Sequence, residues 1–321
     1  MPQIISCQKC SQKLRIPDKC TVYEITCPKC KFTFRHEKIE QKLTQEQLIK
    51  KISEKVAIIR SYTPKVGIFG NAGVGKSSLC NALFGKDVAK IDDVKACTRK
   101  PQEILLGSIN GGIILVDVPG IGEDPAHQKE YTALYKSLVP ELDLVLWVIK
   151  ADDRNYASAL DSYQEVFSSS KTAPPVIFVI TQIDKTNDTE DWNHQEYKPS
   201  GTQVGNIAIK ENDVSRRFGV IAKRIISIAV SKKGREYNLI KLVDLVVEAL
   251  PNEKKYSFTR EAKNANVSEE ASKKAEKGIF DFVKEFAGDA WNSVKEKVVE
   301  KIIESAPKII KSIGNWLRSF F

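Results

Sequence analysis

Short and almost continuously apolar runs recur through the middle of the chain, between residues 65 and 250. The six runs are KVGIFG, EILLGSI, GIILVDV, LDLVLWVIK, PVIFVIT and IISIAV. Segments with helical periodicity, such as YNLIKLVDLVVEALP, separate most of them. Apolar strands that alternate with helices are typical of a mostly parallel sheet that is covered on both faces. The pattern therefore predicts an α/β domain, with a six-stranded sheet flanked by helices, over residues 61–251.

One of these strands is expected to run against the others. The runs EILLGSI and GIILVDV are joined through the residues NGG, which favour a tight hairpin turn. A hairpin makes its two strands antiparallel. We therefore expect one antiparallel strand at the edge of an otherwise parallel sheet.

A charged helix is predicted ahead of this domain, as a linker over residues 37–60. Apolar residues recur on one of its faces from Leu48 to Ile59. Thr44 followed by Gln47 has the spacing of a capping box, which marks a helix start.

The remainder of the chain, residues 252–321, is predicted as a tether followed by an amphipathic helical tail. Up to residue 275 the sequence is polar, which predicts a flexible tether or a solvated helix. From residue 279 helical periodicity returns, with Trp, Phe, Val and Ile on one face and lysines on the other. We expect Gly288, Pro307 and Gly314 to divide this tail into shorter segments.

Composition limits the partners and the compartment. The net charge of +9 over 321 residues is spread in small clusters, so it permits nucleic acid or anionic lipid without choosing between them. The sequence contains no uncharged apolar run long enough for a membrane-spanning helix, so none is expected. The start MPQIISCQKC does not resemble a signal peptide. Seven cysteines then suggest a reducing compartment and metal binding. We expect a cytoplasmic protein, with peripheral membrane attachment left open.

A phosphate-binding loop follows the first apolar run of the domain. The stretch GNAGVGKSS has Gly, four residues, then Gly-Lys-Ser, between a predicted strand and a predicted helix. In such a loop the backbone amides and the helix N-terminus cradle phosphates, the lysine reaches the β- and γ-phosphates, and the serine hydroxyl binds Mg²⁺. We name this stretch the phosphate loop, and it comprises Gly70, Asn71, Ala72, Gly73, Val74, Gly75, Lys76, Ser77 and Ser78.

Two further segments are expected to complete the magnesium site with Ser77. Asp117 ends an apolar strand, where a carboxylate can hold Mg²⁺ through water. Gly120 follows it and can offer its amide to a γ-phosphate. Thr98 lies in the polar segment DVKACTRKPQE and can join the Mg²⁺ shell when the γ-phosphate is present. Thr98 and Gly120 are thus candidate γ-phosphate sensors.

The stretch VITQIDK indicates which base is bound. Asp184 comes just after a predicted buried strand, where its carboxylate can accept hydrogen bonds from N1–H and N2–H₂ of guanine. Adenine lacks these donors and would leave the carboxylate unpaired. Ser231 and Lys232, in IAVSKKG, are expected to support Asp184 and to give backbone donors to guanine O6.

The order GNAGVGKS, Thr98, DVPG, TQID and VSKK resembles the five motifs of Era-like P-loop GTPases of the translation-factor-related (TRAFAC) class. The segments GKSSLCNALF and YTALYKSLVPELDLVLWVIKADDR are similar to those of the YfjP/YeeP-type subgroup. The resemblance covers residues 60–251. It implies a Ras-like fold, binding of GTP or GDP with Mg²⁺, and slow GTP hydrolysis.

Two positions depart from the family pattern. Gln182 replaces the lysine that most relatives have two residues before the base-binding aspartate, so we expect guanine specificity with weaker affinity. Ile121 stands where Ras-like enzymes have the glutamine that orients the attacking water. The catalytic water-positioning residue therefore stays unidentified. Arg99 is more simply explained as a solvated loop charge than as a phosphate ligand.

The pairs CQKC and CPKC predict a zinc ribbon over residues 1–36. Two Cys-x-x-Cys knuckles sixteen residues apart suit a tetrahedral Cys₄ zinc site formed by Cys7, Cys10, Cys27 and Cys30. Because a segment this short lacks a hydrophobic core of its own, zinc binding would drive its folding. Cys20 is a spare thiol, for which packing is favoured over an alternative ligand role.

Several partners remain open at this stage. Four thiolates leave no catalytic position on zinc, so the ribbon is expected to contact protein or, through its lysines and arginines, nucleic acid. The tail over residues 279–321 fits packing on protein or an interfacial helix on an anionic membrane. An unknown protein effector and a nucleotide-dependent dimer are the other expectations.

Overall fold

The computed structural model describes residues 3–16, 22–37, 44–85, 102–106, 112–117, 128–153, 156–167, 173–186, 191–231 and 233–304. The chain forms two compact units, Met1–Lys50 and Lys51–Phe321. The helix α1 (Gln45–Ser61) contains the boundary between them. Its predicted capping box is confirmed, since Gln47 N donates to Thr44 Oγ1 at 3.2 Å and Thr44 N donates to Gln47 Oε1 at 3.1 Å.

The first unit contains two β-hairpins of the same construction. Their strands are antiparallel pairs, β1 (Gln3–Ser6) with β2 (Lys13–Ile16) and β3 (Val22–Thr26) with β4 (Thr33–Glu37). Each hairpin carries one Cys-x-x-Cys knuckle at its turn. The buried residues of this small core are Cys7, Leu14, Cys27 and Phe34. Such a core is too small to hold two hairpins without a cross-link.

The second unit is built on a six-stranded sheet, as predicted. Its strands are β5 (Lys65–Gly70), β6 (Gln102–Leu106), β7 (Ile113–Asp117), β8 (Leu144–Lys150), β9 (Val176–Thr181) and, after two short strands, β12 (Ile225–Ser227). The spatial order is β12-β9-β8-β5-β7-β6. All neighbouring pairs are parallel except β6 with β7, so the antiparallel strand lies at the edge as expected.

Four short strands form two ribbons beside this sheet. They are β10 (Trp192–Asn193) with β11 (Lys198–Pro199), and β13 (Ala229–Val230) with β14 (Glu236–Tyr237). The helices of this unit are α2 (Lys76–Phe84), α3 (Gln128–Leu138), α4 (Ala157–Phe167), α5 (Gly201–Phe218), α6 (Leu239–Ala249), α7 (Asn252–Glu261), α8 (Glu269–Ala287) and α9 (Trp291–Glu304).

The continuous apolar character of the strands comes from a core on each face of the sheet. On β8, Leu146 belongs to a cluster with residues of α2 and α6, whereas the adjacent Trp147 belongs to a cluster with residues of α4 and α5. Because side chains alternate along a strand, a strand buried on both faces has no polar positions.

The segment over residues 252–275 is neither a tether nor a solvated helix, which corrects the sequence-based expectation. In α7, Phe258 is fully buried and its ring packs edge-on against Phe84 of α2, with 5.9 Å between centroids. The Ser257 hydroxyl donates to Ile59 O at 2.8 Å. Lysines and glutamates on the outer face made this segment appear polar in the sequence. A few small or aromatic residues on its inner face are nevertheless enough to pack it against the domain.

Over 279–304, the described part of the predicted tail, the chain is helical, and α8 ends at Gly288, which has a φ of +51°. Several apolar side chains of the tail up to residue 298 are buried, including Ile279, Val283, Trp291 and Val298, whereas Phe286 is 37% exposed. Residues 305–321, with Pro307 and Gly314, lie outside the described residues. Among the described helices, none has the length and apolarity that crossing a bilayer requires.

Candidate functional site

The phosphate loop connects the end of β5 to the start of α2. Gly70, Gly73 and Gly75 have φ values of +145°, +71° and +92°, which side-chain-bearing residues rarely adopt. A Cβ on Gly70 would lie 2.3 Å from Val148 O, so this position also requires the smallest residue. The glycines therefore allow the loop to turn sharply against the sheet and to begin α2 at Lys76.

The side chains of the loop that are predicted to bind phosphate and Mg²⁺ lie at the N-terminus of α2. Lys76 Nζ donates to Gly70 O and to Asn71 O, both at 3.0 Å, so the ammonium group lies over the loop. Ser77 is half-buried and Ser78 is exposed. Val74 has a different role, because its side chain is buried in the core on the sheet.

A cavity of about 330 Å³ opens in front of this loop. The predicted residues that line it are Gly73, Gly75, Lys76, Ser77, Ser78 and Gln182. The described residues that line it and were not predicted are Leu79, Thr181, Lys185, Ile228 and Val230. Two strand ends thus contribute to the cavity, which places its wall at the carboxyl edge of the parallel strands, as in other open α/β sheets.

Hydrogen bonds join the loop after β9 to the phosphate loop. Thr181 Oγ1 donates to Val74 O at 2.5 Å, and Gln182 Nε2 donates to Gly73 O at 3.4 Å. Lys185 Nζ donates to Gln182 Oε1 at 2.8 Å. The ammonium group of Lys185 therefore lies beside Gln182, the residue that stands where most similar GTPases have a lysine. Thr181 begins the TQID motif and Lys185 follows it, and their residue types alone did not indicate these contacts.

Asp184 is half-buried in a short 3₁₀ turn after β9. It does not itself line the cavity, but its neighbour Lys185 does. Tyr197 Oη donates to Asp184 Oδ2 at 3.4 Å. Burial and the Asp184 charge raise the pKa of Tyr197, so the phenol keeps its proton at neutral pH. Sequence reasoning missed Tyr197.

The loop after β13 departs from one expectation. The Ser231 amide, predicted to donate to guanine O6, donates instead to Arg235 O at 2.9 Å. Its hydroxyl accepts from the Arg235 amide at 2.8 Å. Both bonds close the β13–β14 turn. Lys232 lies outside the described residues.

Of the residues predicted to hold Mg²⁺, the structure describes only some. Asp117 is the last residue of β7 and pairs with Ile68 of β5, two residues before Gly70, so its backbone lies beside the phosphate loop. Thr98 and Gly120, the candidate γ-phosphate sensors, lie outside the described residues.

The four predicted zinc ligands converge in the first unit. Their sulfur atoms all lie within 4.8 Å of one another, with 3.6 Å between Cys7 and Cys30 and between Cys10 and Cys27. Four sulfurs at about 2.3 Å from a tetrahedral zinc ion are about 3.8 Å apart, so the cluster fits this ion. Backbone amides of Cys30 and Lys29 help to lower the pKa of Cys27 to about 6, which favours the thiolate.

The two knuckles repeat each other closely. Cys7 N donates to Gln12 O and Cys27 N donates to Phe32 O, each at 2.9 Å. Two residues of the turns, Ser11 and Lys31, have φ values of +58° and +56°. The repeat brings two pairs of sulfurs together face to face. Cys20 lies outside the described residues.

Residues 65–182 match the family model described as 50S ribosome-binding GTPase. YkfA of Escherichia coli strain K12 is 45% identical over 144 residues, which cover 45% of this chain and 48% of YkfA. YfjP of the same strain is 42% identical over 143 residues, which cover 44% of this chain and 50% of YfjP. The chain thus spans about half the length of these curated relatives.

The GTPase Era of Alkaliphilus oremlandii is 28% identical over 194 residues, which cover 60% of this chain and 57% of that protein. A crystal structure of Era in complex with MgGDPNP and nucleotides 1506–1542 of 16S ribosomal RNA shares 26% identity, with a TM-score of 0.43 over 59% of this chain and 57% of Era. The sequence matches to YkfA, YfjP and Era confirm the resemblance to Era-like and YfjP/YeeP-type proteins. Residues 65–182 therefore have the P-loop GTPase fold and are similar to the family described as 50S ribosome-binding GTPase.

Proposed function

We propose that this protein binds GTP and GDP with Mg²⁺, hydrolyses GTP slowly, and acts as a nucleotide-dependent switch. The observation that carries the proposal is the joining of two loops around one cavity. The phosphate loop is bonded to the loop that carries Asp184 through Thr181 and Gln182. The residues to which we assign phosphate binding and base selection lie on these two loops, which supports binding of one nucleotide.

Each group has a defined task in this proposal. Amides of the phosphate loop and Lys76 would bind the phosphates. Ser77, Asp117 and Thr98 would hold Mg²⁺, and the ion would supply charge neutralisation at the phosphates. Asp184 selects guanine by accepting from N1–H and N2–H₂. Ile121 has no polar group to orient water, which is the reason for proposing slow hydrolysis.

The C-terminal helices are the proposed output of the switch toward a protein effector. Lys263 N donates to Leu83 O at 2.7 Å, and Asn266 Nδ2 donates to Ala82 O at 2.8 Å. These bonds satisfy carbonyls at the C-terminal end of α2, whose N-terminal end follows the phosphate loop. A shift of α2 on nucleotide exchange would therefore be passed to α7 and α8.

Membrane attachment is the weaker alternative for these helices. The apolar faces of α8 and α9 are largely buried up to Val298, which supports packing on protein. A lipid-binding role would therefore depend on residues 305–321. Liposome co-sedimentation of the full chain against a chain ending at residue 304 distinguishes the two, and equal sedimentation rejects the lipid role. A cytoplasmic location remains part of the proposal.

The first unit is proposed to bind one Zn²⁺ through its four cysteines and to serve as a contact module. Exposed Lys9, Lys29 and Lys31 lie around the knuckles, and Phe32 is 38% exposed with Lys9 Nζ 6.0 Å from its ring centre. A surface of this kind suits an acidic protein or RNA. RNA binding would be lost on deleting residues 1–36 and would weaken with salt.

Competition between GTP and ATP for a fluorescent guanine nucleotide tests the proposed function. Wild type should prefer GTP strongly, and Asp184→Asn should lose most of this preference. Asp161→Asn, on the exposed surface of α4, is the matched control and should behave as wild type. Equal binding of ATP and GTP by the wild type would refute the proposal.

A further inference from the structure

Tyr197 is buried beside the carboxylate to which we assign guanine selection. Only 5% of its surface is exposed, yet its hydroxyl points at Asp184 Oδ2, 3.4 Å away. Buried tyrosines usually direct their hydroxyl to a partner, because an unpaired one is costly. The contact is long for an O–H···O bond, and such contacts in a site often tighten when the ligand binds.

The backbone around Tyr197 is shaped to aim this side chain. Asn193 Oδ1 accepts from the amides of Gln195 and Glu196, both at 3.0 Å, which forms an Asx turn between β10 and β11. Tyr197 ends this turn with a φ of +51°, a conformation that is uncommon for a residue of its size. Such a conformation persists only where the surrounding contacts enforce it.

Those contacts hold the ring from two sides. Trp192 meets it edge-on with 5.3 Å between ring centroids, and the Arg235 guanidinium lies 5.0 Å from its centre. Arg235 also donates to His194 O, which fixes the guanidinium against the same turn. The phenol is therefore presented by a rigid support rather than by a freely rotating side chain.

Tyr197 also lies against the second loop expected near the base. Arg235, whose guanidinium lies 5.0 Å from the centre of the Tyr197 ring, closes that loop by accepting from the Ser231 amide. Ser231 is in turn fixed by the Arg235 amide at 2.8 Å. One phenol thus links the loop after β9 with the loop after β13.

We infer that Tyr197 is a positioning residue that orients the Asp184 carboxylate for guanine; this rests on the function proposed above. Each carboxylate oxygen can accept two hydrogen bonds. Tyr197 uses one acceptor position on Oδ2 and fixes the plane of the group. The remaining positions then face N1–H and N2–H₂ of the base together.

The expected effect depends on the number of bonds that the base makes. In Tyr197→Phe the ring keeps its contacts with Trp192 and Arg235 but loses the hydroxyl. Because a misoriented carboxylate makes poorer hydrogen bonds to the base, we expect the GDP Kd to rise on the order of tenfold. IDP lacks the N2 amine and makes one bond to the carboxylate, so its Kd should rise less. The ratio of the IDP Kd to the GDP Kd should therefore fall.

The experiment measures displacement of a fluorescent guanine nucleotide by GDP and by IDP from the full chain with Mg²⁺. Tyr156→Phe is the matched control, since Tyr156 is also buried and its hydroxyl has no hydrogen-bond partner within the described part of the chain. It should leave both Kd values unchanged. The ratio of the two Kd values does not depend on the fraction of folded protein, so partial instability of a variant does not obscure the result.

Asp184→Asn separates failure of the inference from failure of the proposed function. If Asp184→Asn removes the preference for GDP over IDP and Tyr197→Phe keeps the wild-type ratio, Tyr197 does not position the carboxylate and the inference is overturned. If Asp184→Asn itself keeps the wild-type preference, the proposed function fails with it. A reduced ratio in both variants, with Tyr156→Phe unchanged, supports the inference.

Discussion

Replacement of Phe258 by alanine tests whether α7 is part of the GTPase unit or a tether beyond it. The side chain is fully buried, belongs to the core cluster that includes Leu79 and Leu83, and meets Phe84 at 5.9 Å. Removing a buried phenyl ring loses its transfer free energy and leaves a cavity, which together cost about 3–5 kcal/mol. For a unit of this size each kcal/mol lowers the melting temperature by roughly 2–4 °C.

Urea unfolding followed by tryptophan fluorescence measures the loss directly. Phe286→Ala is the matched control: it removes the same atoms from a side chain of α8 that is 37% exposed, so it should cost about half as much or less. A loss below about 1 kcal/mol for Phe258→Ala would refute the reasoning, because a phenylalanine on a solvated tether contributes little to unfolding.

Three other predictions concern the phosphate loop, the cysteine cluster and a buried carboxyl group of α8. Gly70→Ala should abolish nucleotide binding and cost about 2–3 kcal/mol of stability, because the new methyl group meets Val148 O; titration with fluorescent GDP and a melting curve check this. Cys27→Ser should lose the single zinc ion measured by metal analysis, whereas Cys80→Ser, in the core of the other unit, should keep it. Burial raises the pKa of Glu276 from 4.5 to about 7, so its contribution to stability is complete below pH 4.5 and is lost as the pH rises through 7. Glu276→Gln should therefore be more stable than wild type at pH 8, by about 1–3 kcal/mol, and the difference should disappear near pH 4.5 in urea unfolding.

Much of the α/β domain was predictable because the apolar patterns of its short segments agree with the way those segments pack in the fold. Continuous apolar strands arise where both faces of a sheet are covered. Each strand could therefore be recognised from its own sequence alone. The edge hairpin was likewise local, since NGG joins β6 to β7. The phosphate loop could be recognised because its glycines meet a backbone requirement that few other residues can satisfy.

Toward the ends of the chain, hydrophobic patterns are a weaker guide to the structure. Lysines and glutamates dominate residues 252–275, so hydrophobic periodicity is weak there although Phe258 and Ala271 are buried. The burial of those residues depends on the surface that α2 and α6 present, which the local sequence does not encode. The cysteine pairs are different, because metal-ligand spacing is itself a local property.

By itself, the sequence determined the parallel sheet with its edge hairpin, the phosphate loop at Gly70–Ser78, and the pairing of two cysteine knuckles. Periodicity, glycine conformation and ligand spacing are properties of short segments, so they survive without a structure. Only the tertiary structure decided that the segment between α7 and α8 caps the C-terminal end of α2, that Thr181 and Gln182 bond to the phosphate loop, and that the Tyr197 hydroxyl donates to Asp184. Those contacts join residues far apart in the chain, and their geometry exists only once the sheet has brought the loops together.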